Sequence, residues 1–301
     1  MEIFINDEKI DFKLEDETML YQVVDGLASW TAGNGYYIQA IHFDDKKYTA
    51  EDPACRDIPV ETVLRLKISA KSRMEIHEEN LQLLYQYISL FLKSIEGKNI
   101  QLIKDLQVDA DSITKLLADF LGEDRDGEET ISRKLYKNLI ALNPENPEKK
   151  PEQLQALNTQ LVSLKIILNE RILELANPLG ELQKTTRAMK TSVIEINDIS
   201  VLLQTGKDRE ALNSIIKFSE LSQKILRIYP LLKNNGIIDI ENITIDEKNF
   251  SEYYVDLNDI LSELLEAFTA NDSVLIGDLL EYEVAPRIES LVAALDLIQK
   301  E

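Results

Sequence analysis

Three stretches set the architecture: Leu92-Lys-Ser-Ile-Glu-Gly-Lys-Asn99-Ile-Gln-Leu-Ile-Lys-Asp-Leu106, Leu203-Gln-Thr-Gly-Lys-Asp208-Arg-Glu-Ala-Leu-Asn-Ser-Ile215 and Phe268-Thr-Ala-Asn-Asp272-Ser-Val-Leu-Ile-Gly-Asp-Leu279. Each runs from an apolar helical segment through a short break to a side chain suited to cap a helix, then into a second apolar helical segment. Aligned on Asn99, Asp208 and Asp272, the positions three, four and seven residues later are all apolar: Leu102/Ile103/Leu106, Ala211/Leu212/Ile215 and Leu275/Ile276/Leu279. That is the pattern of an N-cap followed by the buried stripe of an amphipathic helix. The repetition predicts helix-turn-helix units over most of the chain, and stacks of such units usually bind other macromolecules.

Working outward, Met74 to Ile95 has apolar residues at the spacing of one buried stripe. A second helix is expected to start after Lys98 and run to about Leu121, and a third to lie near 129–142. Asn143-Pro-Glu-Asn-Pro-Glu-Lys-Lys-Pro151 has three prolines and no apolar residue, so it reads as a linker. Long helices over 152–176 and 178–204 follow, with Pro178 in a first turn behind Asn177. The helix after Asp208 is expected to stop near Tyr229-Pro230. Residues 234–249 read as irregular, with a possible hairpin of Ile237-Ile-Asp-Ile240 and Ile243-Thr-Ile245. Helices near 250–269 and 272–299 finish the chain, with a kink at Pro286.

The first 70 residues follow a different grammar. Glu2-Ile-Phe-Ile-Asn6 and Lys9-Ile-Asp-Phe-Lys-Leu14 read as a hairpin. A helix follows, capped by Asp16 or Thr18, with Leu20, Val23, Val24 and Leu27 on one face, and Gly33-Asn-Gly35 stops it. Tyr36 to Phe43 is a third strand, with Asp44-Asp-Lys-Lys47 as its turn. Thr62 to Ile68 is the last, with Leu64, Leu66 and Ile68 on one side. This β-β-α-β-β order resembles the β-grasp arrangement of ubiquitin-like domains. The chain departs from ubiquitin-type modifiers by running through Ser69-Ala-Lys-Ser72 into a helix instead of ending in Gly-Gly. The resemblance therefore implies a built-in interaction module without conjugation chemistry. Farther along, Leu264-Leu-Glu-Ala-Phe268, Asn271-Asp272, Leu275 to Glu283 and Pro286 resemble an uncharacterised bacterial helical domain of spirochaetes and clostridia, over about residues 200–297. That family implies no activity.

Composition narrows the function classes. The chain has 301 residues, 44% of them hydrophobic, enough for about two domains with real cores. Its one cysteine, Cys55, cannot form an internal disulfide, which suits a reducing compartment. No stretch has the composition of a signal segment or a membrane span, so a cytoplasmic protein without membrane insertion is expected. The net charge of −21 is uneven: residues 1–70 carry 14 acidic and 7 basic side chains (−7), residues 71–235 carry 24 and 23 (−1), and residues 236–301 carry 16 and 3 (−13). Such a surface repels phosphate backbones and argues against nucleic acid. The acidic tail reads either as a docking face for a basic partner or as a solubilising surface.

Catalytic chemistry finds few candidates. His42, His77 and Cys55 are the residues available for nucleophile-and-base work, and a Cys55–His42 pair within the first domain is the enzyme reading. His77-Glu-Glu-Asn80 lacks the second histidine of a zinc helix. Asp124-Arg-Asp126-Gly127 places glycine at the wrong position for a calcium loop. Gly33-Asn-Gly35 follows a helix and precedes a strand, the reverse of a phosphate-binding order. No cofactor or metal is implied. One constellation stands out: Gly277-Asp-Leu-Leu-Glu-Tyr-Glu283-Val-Ala-Pro286. There Asp278, Glu281 and Tyr282 are three and four apart and share a helix face, with Glu283 nearby. Three carboxylates so close repel one another unless a cation relieves them. Arg287, four residues after Glu283, or a basic side chain from a partner supplies that relief.

The sequence thus predicts an α+β protein with a β-grasp-like domain over 1–70, a helical hairpin region over 71–145 and a C-terminal helical domain over 152–301. The expected function is that of a non-catalytic cytoplasmic adaptor or assembly factor binding another protein through helical and acidic surfaces, with a basic surface on that partner. The candidate contact residues are Asp278, Glu281, Tyr282, Glu283, Tyr36 and Tyr37. A regulatory protein whose helical part responds to a partner or small ligand is the alternative, and an enzyme using Cys55 and His42 is the third reading. The sequence leaves the oligomeric state open.

Overall fold

The computed structural model describes residues 1–12, 16–43, 46–48, 58–124, 130–234, 244–270 and 272–298. It is an α+β protein that divides into two compact units, Met1–Asn169 and Glu170–Glu301. The first unit opens with β1 (Glu2–Ile5), β2 (Glu8–Ile10), α1 (Leu20–Gly33), β3 (Tyr36–Phe43), β4 (Lys46–Tyr48) and β5 (Arg65–Ser72). The strands form one mixed sheet in the order β2-β1-β5-β3-β4, with β1 parallel to β5 and the other pairs antiparallel. Alternation decides its faces: Leu66, Ile68 and Ala70 of β5 are buried with Ile3, Ile41, Phe43 and the Leu20, Val23, Val24 and Leu27 stripe of α1. Arg65 and Lys67, one residue out of phase, face solvent.

Three local expectations need correction here. Residues Lys46 and Lys47, assigned to a turn, belong to a fifth strand, held because Tyr48 stacks on Phe43 across the hairpin at 4.3 Å. The α1 cap is not Thr18 or Asp16 but Met19, whose side chain makes no cap bond; instead the Gln22 side chain reaches back and accepts from the Thr18 and Met19 amides at 2.9 and 3.0 Å. Leu64 is 80% exposed, because β5 starts after it and Val63 fills the core position. Leu14 of the expected first hairpin and Asp44–Asp45 lie outside the described residues.

The rest is helical: α2 (Arg73–Glu96), α3 (Ile100–Val108), α4 (Ala110–Leu121), α5 (Ile131–Ala141), α6 (Pro151–Ala176), α7 (Pro178–Asn197), α8 (Ile199–Gln204), α9 (Asp208–Asn234), α10 (Phe250–Thr269), α11 (Ser273–Asp278) and α12 (Ala285–Ile298). A short hairpin, β6 (Thr244–Ile245) with β7 (Lys248–Asn249), precedes α10. Of the hairpin expected from Ile237–Ile240 and Ile243–Ile245, residues 237–243 lie outside the described residues, and Thr244–Ile245 pair with Lys248–Asn249. Ser72 starts α2 with a reciprocal cap: its hydroxyl accepts from the Glu75 amide, and the Glu75 carboxylate accepts from the Ser72 amide at 2.7 Å.

The three repeated stretches form α2–α3, α8–α9 and α10–α11. Each turn closes with the same backbone bond, from the first residue past the break to the carbonyl five residues earlier: Asn99 to Ser94 at 2.9 Å, Lys207 to Leu202 at 2.8 Å and Asp272 to Ala267 at 3.0 Å. Lys98 and Gly206 supply the left-handed residue that this closure requires, at φ 49° and 72°. Asn99 and Asp272 cap the next helix, accepting from Leu102 and Leu275 at 3.1 Å. The second unit is offset by one residue. Its capping position is Lys207, whose carbonyl accepts from Ala211, so Asp208 lies in the first turn and not at the cap.

Other helices differ from expectation at single residues. Asp109, with ψ near 0°, breaks the expected 99–121 helix into α3 and α4, and Asp198 does the same between α7 and α8. Pro230 does not end α9, which continues to Asn234, although the proline leaves the Leu226 carbonyl without its usual donor. Before Pro286 the chain does not simply kink. Residues Leu279–Val284 form a π-helical turn in which the Ala285 amide donates to Leu280, widening the helix where the proline ring would crowd it.

Candidate interaction surface

The core of the second unit brings the acidic stretch into position. Ile276, Leu279, Leu280, Val284, Ile288 and Leu291 are buried in one cluster with Phe218, Tyr253, Tyr254 and Leu257. The polar residues between them are forced outward. Asp278, Glu281 and Tyr282 are exposed on the α11 and π-turn surface, with Tyr282 at 65%. The Tyr282 hydroxyl loses its proton less readily than a free phenol, first because of the Glu281 charge and hydrogen bond and then because of Asp278. The structure therefore brings together Asp278, Glu281 and Tyr282, as the spacing predicts.

Glu283 is separated from them. Its carboxylate accepts from Arg287 Nη1 at 2.5 Å, and the same nitrogen donates to the Glu283 carbonyl at 3.0 Å. The Arg287 carbonyl in turn accepts from the Tyr253 hydroxyl at 2.5 Å, and burial followed by the Asp246 charge pushes that phenol up to about 12. Local relief by Arg287 thus covers one of the acids. Among the described residues, neither Asp278 nor Glu281 forms an ion pair.

Tyr36 and Tyr37 are both exposed, at 44% and 45%, but do not form one site. They pair with Ser72 and Lys71 on β5, and neighbours along a strand point to opposite faces of the sheet. Tyr37 lies on the face away from α1. His42, half-buried on that same face, pairs with Lys67 and Lys47. His77 opens α2 beside Phe120, its ring nitrogen made harder to protonate by burial and by Arg73. Cys55 lies outside the described residues. A pocket of about 270 Å³ between the end of α5 and the start of α6, lined by Asn138, Leu142, Asn146, Lys149, Gln153 and Leu157, includes neither histidine. Among the described residues no group of three or more His, Cys, Asp or Glu is placed to hold a metal ion, and no helix is long and apolar enough to cross a membrane.

One charged cluster escaped the sequence reading. Glu174 is 1% exposed and accepts from Arg171 at 3.1 Å and from Arg227 at 3.1 Å. Glu181 is 5% exposed and accepts from Lys184 at 2.6 Å and Lys224 at 2.9 Å, while Lys224 also meets Glu170 at 3.0 Å. Burial opposes ionisation of Glu181, but the two lysines outweigh it and hold the carboxyl below its ordinary value. Burial likewise opposes the Lys224 charge, and Glu181 and Glu170 hold its ammonium above the ordinary lysine value. The visible signal is Lys224 and Arg227, each just before a buried isoleucine of α9 (Ile225, Ile228), yet nothing local announces their acidic partners.

The comparisons with known proteins follow the same layout. Residues 1–72 match the family described as TP0873 N-terminal domain, ending where β5 meets the Ser72 cap. Residues 181–294 match a domain of unknown function, DUF8042, over the stretch that carries the helical resemblance. The chain is similar to an uncharacterised protein of Treponema pallidum (strain Nichols), at 24% identity over 172 residues, which is 57% of this chain and 84% of that protein. No solved structure gives a significant match.

Proposed function

We propose that this chain is a non-catalytic cytoplasmic adaptor or assembly factor. It binds a basic surface of another protein through Asp278, Glu281 and Tyr282, with the surrounding helical hairpins as scaffold. One observation carries the reading: two exposed carboxylates flank an exposed tyrosine and have no cation among the described residues, while their neighbour Glu283 has its own arginine. Like charges so placed cost free energy in the free protein, and a partner's arginine or lysine removes that cost on binding. An exposed phenol beside carboxylates also offers an arginine a ring face together with hydrogen-bond acceptors. The N-terminal domain acts in this reading as a β-grasp-like interaction module, supported by its mixed five-stranded sheet, the parallel β1–β5 pair and the helix packed on one face. The single cysteine supports a reducing compartment. The test is affinity capture from the native cell with the wild-type chain and with Asp278→Lys/Glu281→Lys in parallel. A protein captured by the first and lost by the second is the expected result. Identical captures would remove this surface from consideration.

A further inference from the structure

We propose that the solvent face of the N-terminal sheet is a docking surface for α10 of a second copy of this chain. It uses residues other than Asp278, Glu281 and Tyr282, and stands or falls apart from the reading above.

The register places one residue from every strand in a single row: Lys9 opposite Phe4, Phe4 opposite Lys67, Lys67 opposite His42, and His42 opposite Lys47. Paired residues share a face, and this one is the face away from α1. Strands lie about 4.8 Å apart, so Lys9, Lys67 and Lys47 recur at intervals of about 9.6 Å. Arg65 adds a fourth cation over the Phe4 ring, 5.5 Å from its centre. Two carboxylates temper the face: Glu2 meets Lys9 and Arg65 at 2.7 and 3.5 Å, and Asp7 meets Lys67 at 3.1 Å. All of these side chains are well exposed, and pairs of that kind contribute only about 0–1 kcal/mol, so they exchange readily for a better-placed anion. Lys71, opposite Tyr37, is a fifth cation on this face and is met by Glu79 of α2. Five cations against three carboxylates leave the described part of the face at +2, in a chain whose total is −21.

The complementary spacing is in α10. Over Phe250–Thr269 it has five acids (Glu252, Asp256, Asp259, Glu263 and Glu266) and no lysine, arginine or histidine. Exposed Glu252, Asp259 and Glu266 are seven residues apart, which at 1.5 Å per residue places them about 10.5 Å apart along one face. That matches the lysine row to within about 1 Å per step. Glu252 serves the Asn249 cap and Asp256 meets Lys248, whereas Asp259, Glu263 and Glu266 form no ion pair among the described residues. Exposed Val255, one helical turn before Asp259 and beside the acidic line, gives half-buried Phe4 an apolar partner. A polyphosphate backbone fits this face less well, because the carboxylates of Glu2 and Asp7 stand within it. The contact joins two different surfaces: made in both directions it closes a two-fold pair, and made in one direction it builds a ring or an open chain of copies.

The experiment is sedimentation velocity on the full chain across a concentration series, at about 50 mM and about 500 mM salt, where the screening lengths differ roughly threefold. The expected result is concentration-dependent association at low salt, weakened at least tenfold at high salt. Lys47→Glu/Lys67→Glu and Asp259→Lys/Glu266→Lys should each abolish association. The chain carrying all four changes should recover it, since both charges are then reversed. Lys46→Glu, which makes the same charge change on the opposite face beside Phe43, should leave it intact. If a reversal perturbs the circular dichroism, Lys67→Gln and Asp259→Asn replace it and should weaken association in proportion. A chain that stays monomeric throughout, a fourfold variant without recovery, or a Lys46→Glu loss equal to that of Lys67→Gln would each overturn the proposal.

Discussion

Arg287 holds Glu283 twice, with Nη1 2.5 Å from its carboxylate and 3.0 Å from its carbonyl. This bracket spans the junction between the π turn and α12, one residue past Pro286, where the usual amide donor is missing. The arginine therefore bonds a backbone carbonyl as well as pairing with a charge.

Arg287→Ala should then cost more than an ordinary exposed helix pair, on the order of 1 kcal/mol instead of a few tenths. Urea unfolding followed by circular dichroism measures it. Glu283→Gln keeps the carbonyl bond and should cost less than half as much. Equal losses from the two changes would mean that the charge pair alone matters.

The hairpin caps separate by position. Asn99→Ala and Asp272→Ala each remove a bond to a first-turn amide and should cost about 1 kcal/mol. Asp208→Ala removes only a favourable charge near a helix start, about 0.3–0.5 kcal/mol. Melting midpoints on the three single variants check the order. An Asp208→Ala loss as large as that of Asp272→Ala would contradict the one-residue offset of the second hairpin.

The buried ion cluster makes stability depend on pH in a definite direction. Because the Glu181 carboxyl titrates below its ordinary value in the folded chain, its contribution is present above the unfolded value of about 4.3 and is lost as pH falls through the folded one. Lys224 titrates above the ordinary value, so its contribution is lost only as pH rises through that raised value, beyond about 10.4. The urea midpoint of the wild type should hold steady between these limits as far as this cluster is concerned. Glu174→Ala, which leaves Arg171 and Arg227 without their shared anion, should cost about 3–5 kcal/mol. A loss under about 1 kcal/mol would show that the cluster is solvated.

Limited proteolysis should cut first between Asn143 and Pro151. That segment has a single 3-10 turn, Pro147–Lys149, and its side-chain bonds, such as Lys104 to Glu145, are exposed. Earlier cleavage within α6 or α7 would contradict this.

The parts of the fold written in local chemistry were legible. Cap, stripe and break lie within about fifteen residues of one another, so the three hairpins could be found from Asn99, Asp208 and Asp272, the second with its cap placed one residue late, and the core from the Leu20–Leu27 and Leu66–Ile68 periodicities. Errors arose where a packing contact overrode a local rule. Pro230 predicts a stop, yet α9 passes it because Ile225, Ile228 and Leu232 are all buried in the core. Lys46 and Lys47 look like a turn until Tyr48 is found stacked on Phe43. The cluster around Glu174 and Glu181 joins residues 53 and 43 positions apart, and no short-range pattern pairs them. At the candidate surface the spacing of Asp278, Glu281 and Tyr282 was readable. The exclusion of Glu283 required the Arg287 bracket, and the separation of Tyr36 from Tyr37 required the sheet register.

The most direct measurement of the central claim is the salt dependence of partner binding by the wild-type chain, Asp278→Lys/Glu281→Lys and Arg287→Glu. Exposed charges are screened beyond about 8 Å at physiological ionic strength, so a contact through Asp278 and Glu281 should weaken steeply as salt rises. The doubly substituted chain should lose binding while keeping its helical circular dichroism. Arg287→Glu should lower stability and leave the salt slope unchanged. Partner retained at high salt by the doubly substituted chain would contradict the account.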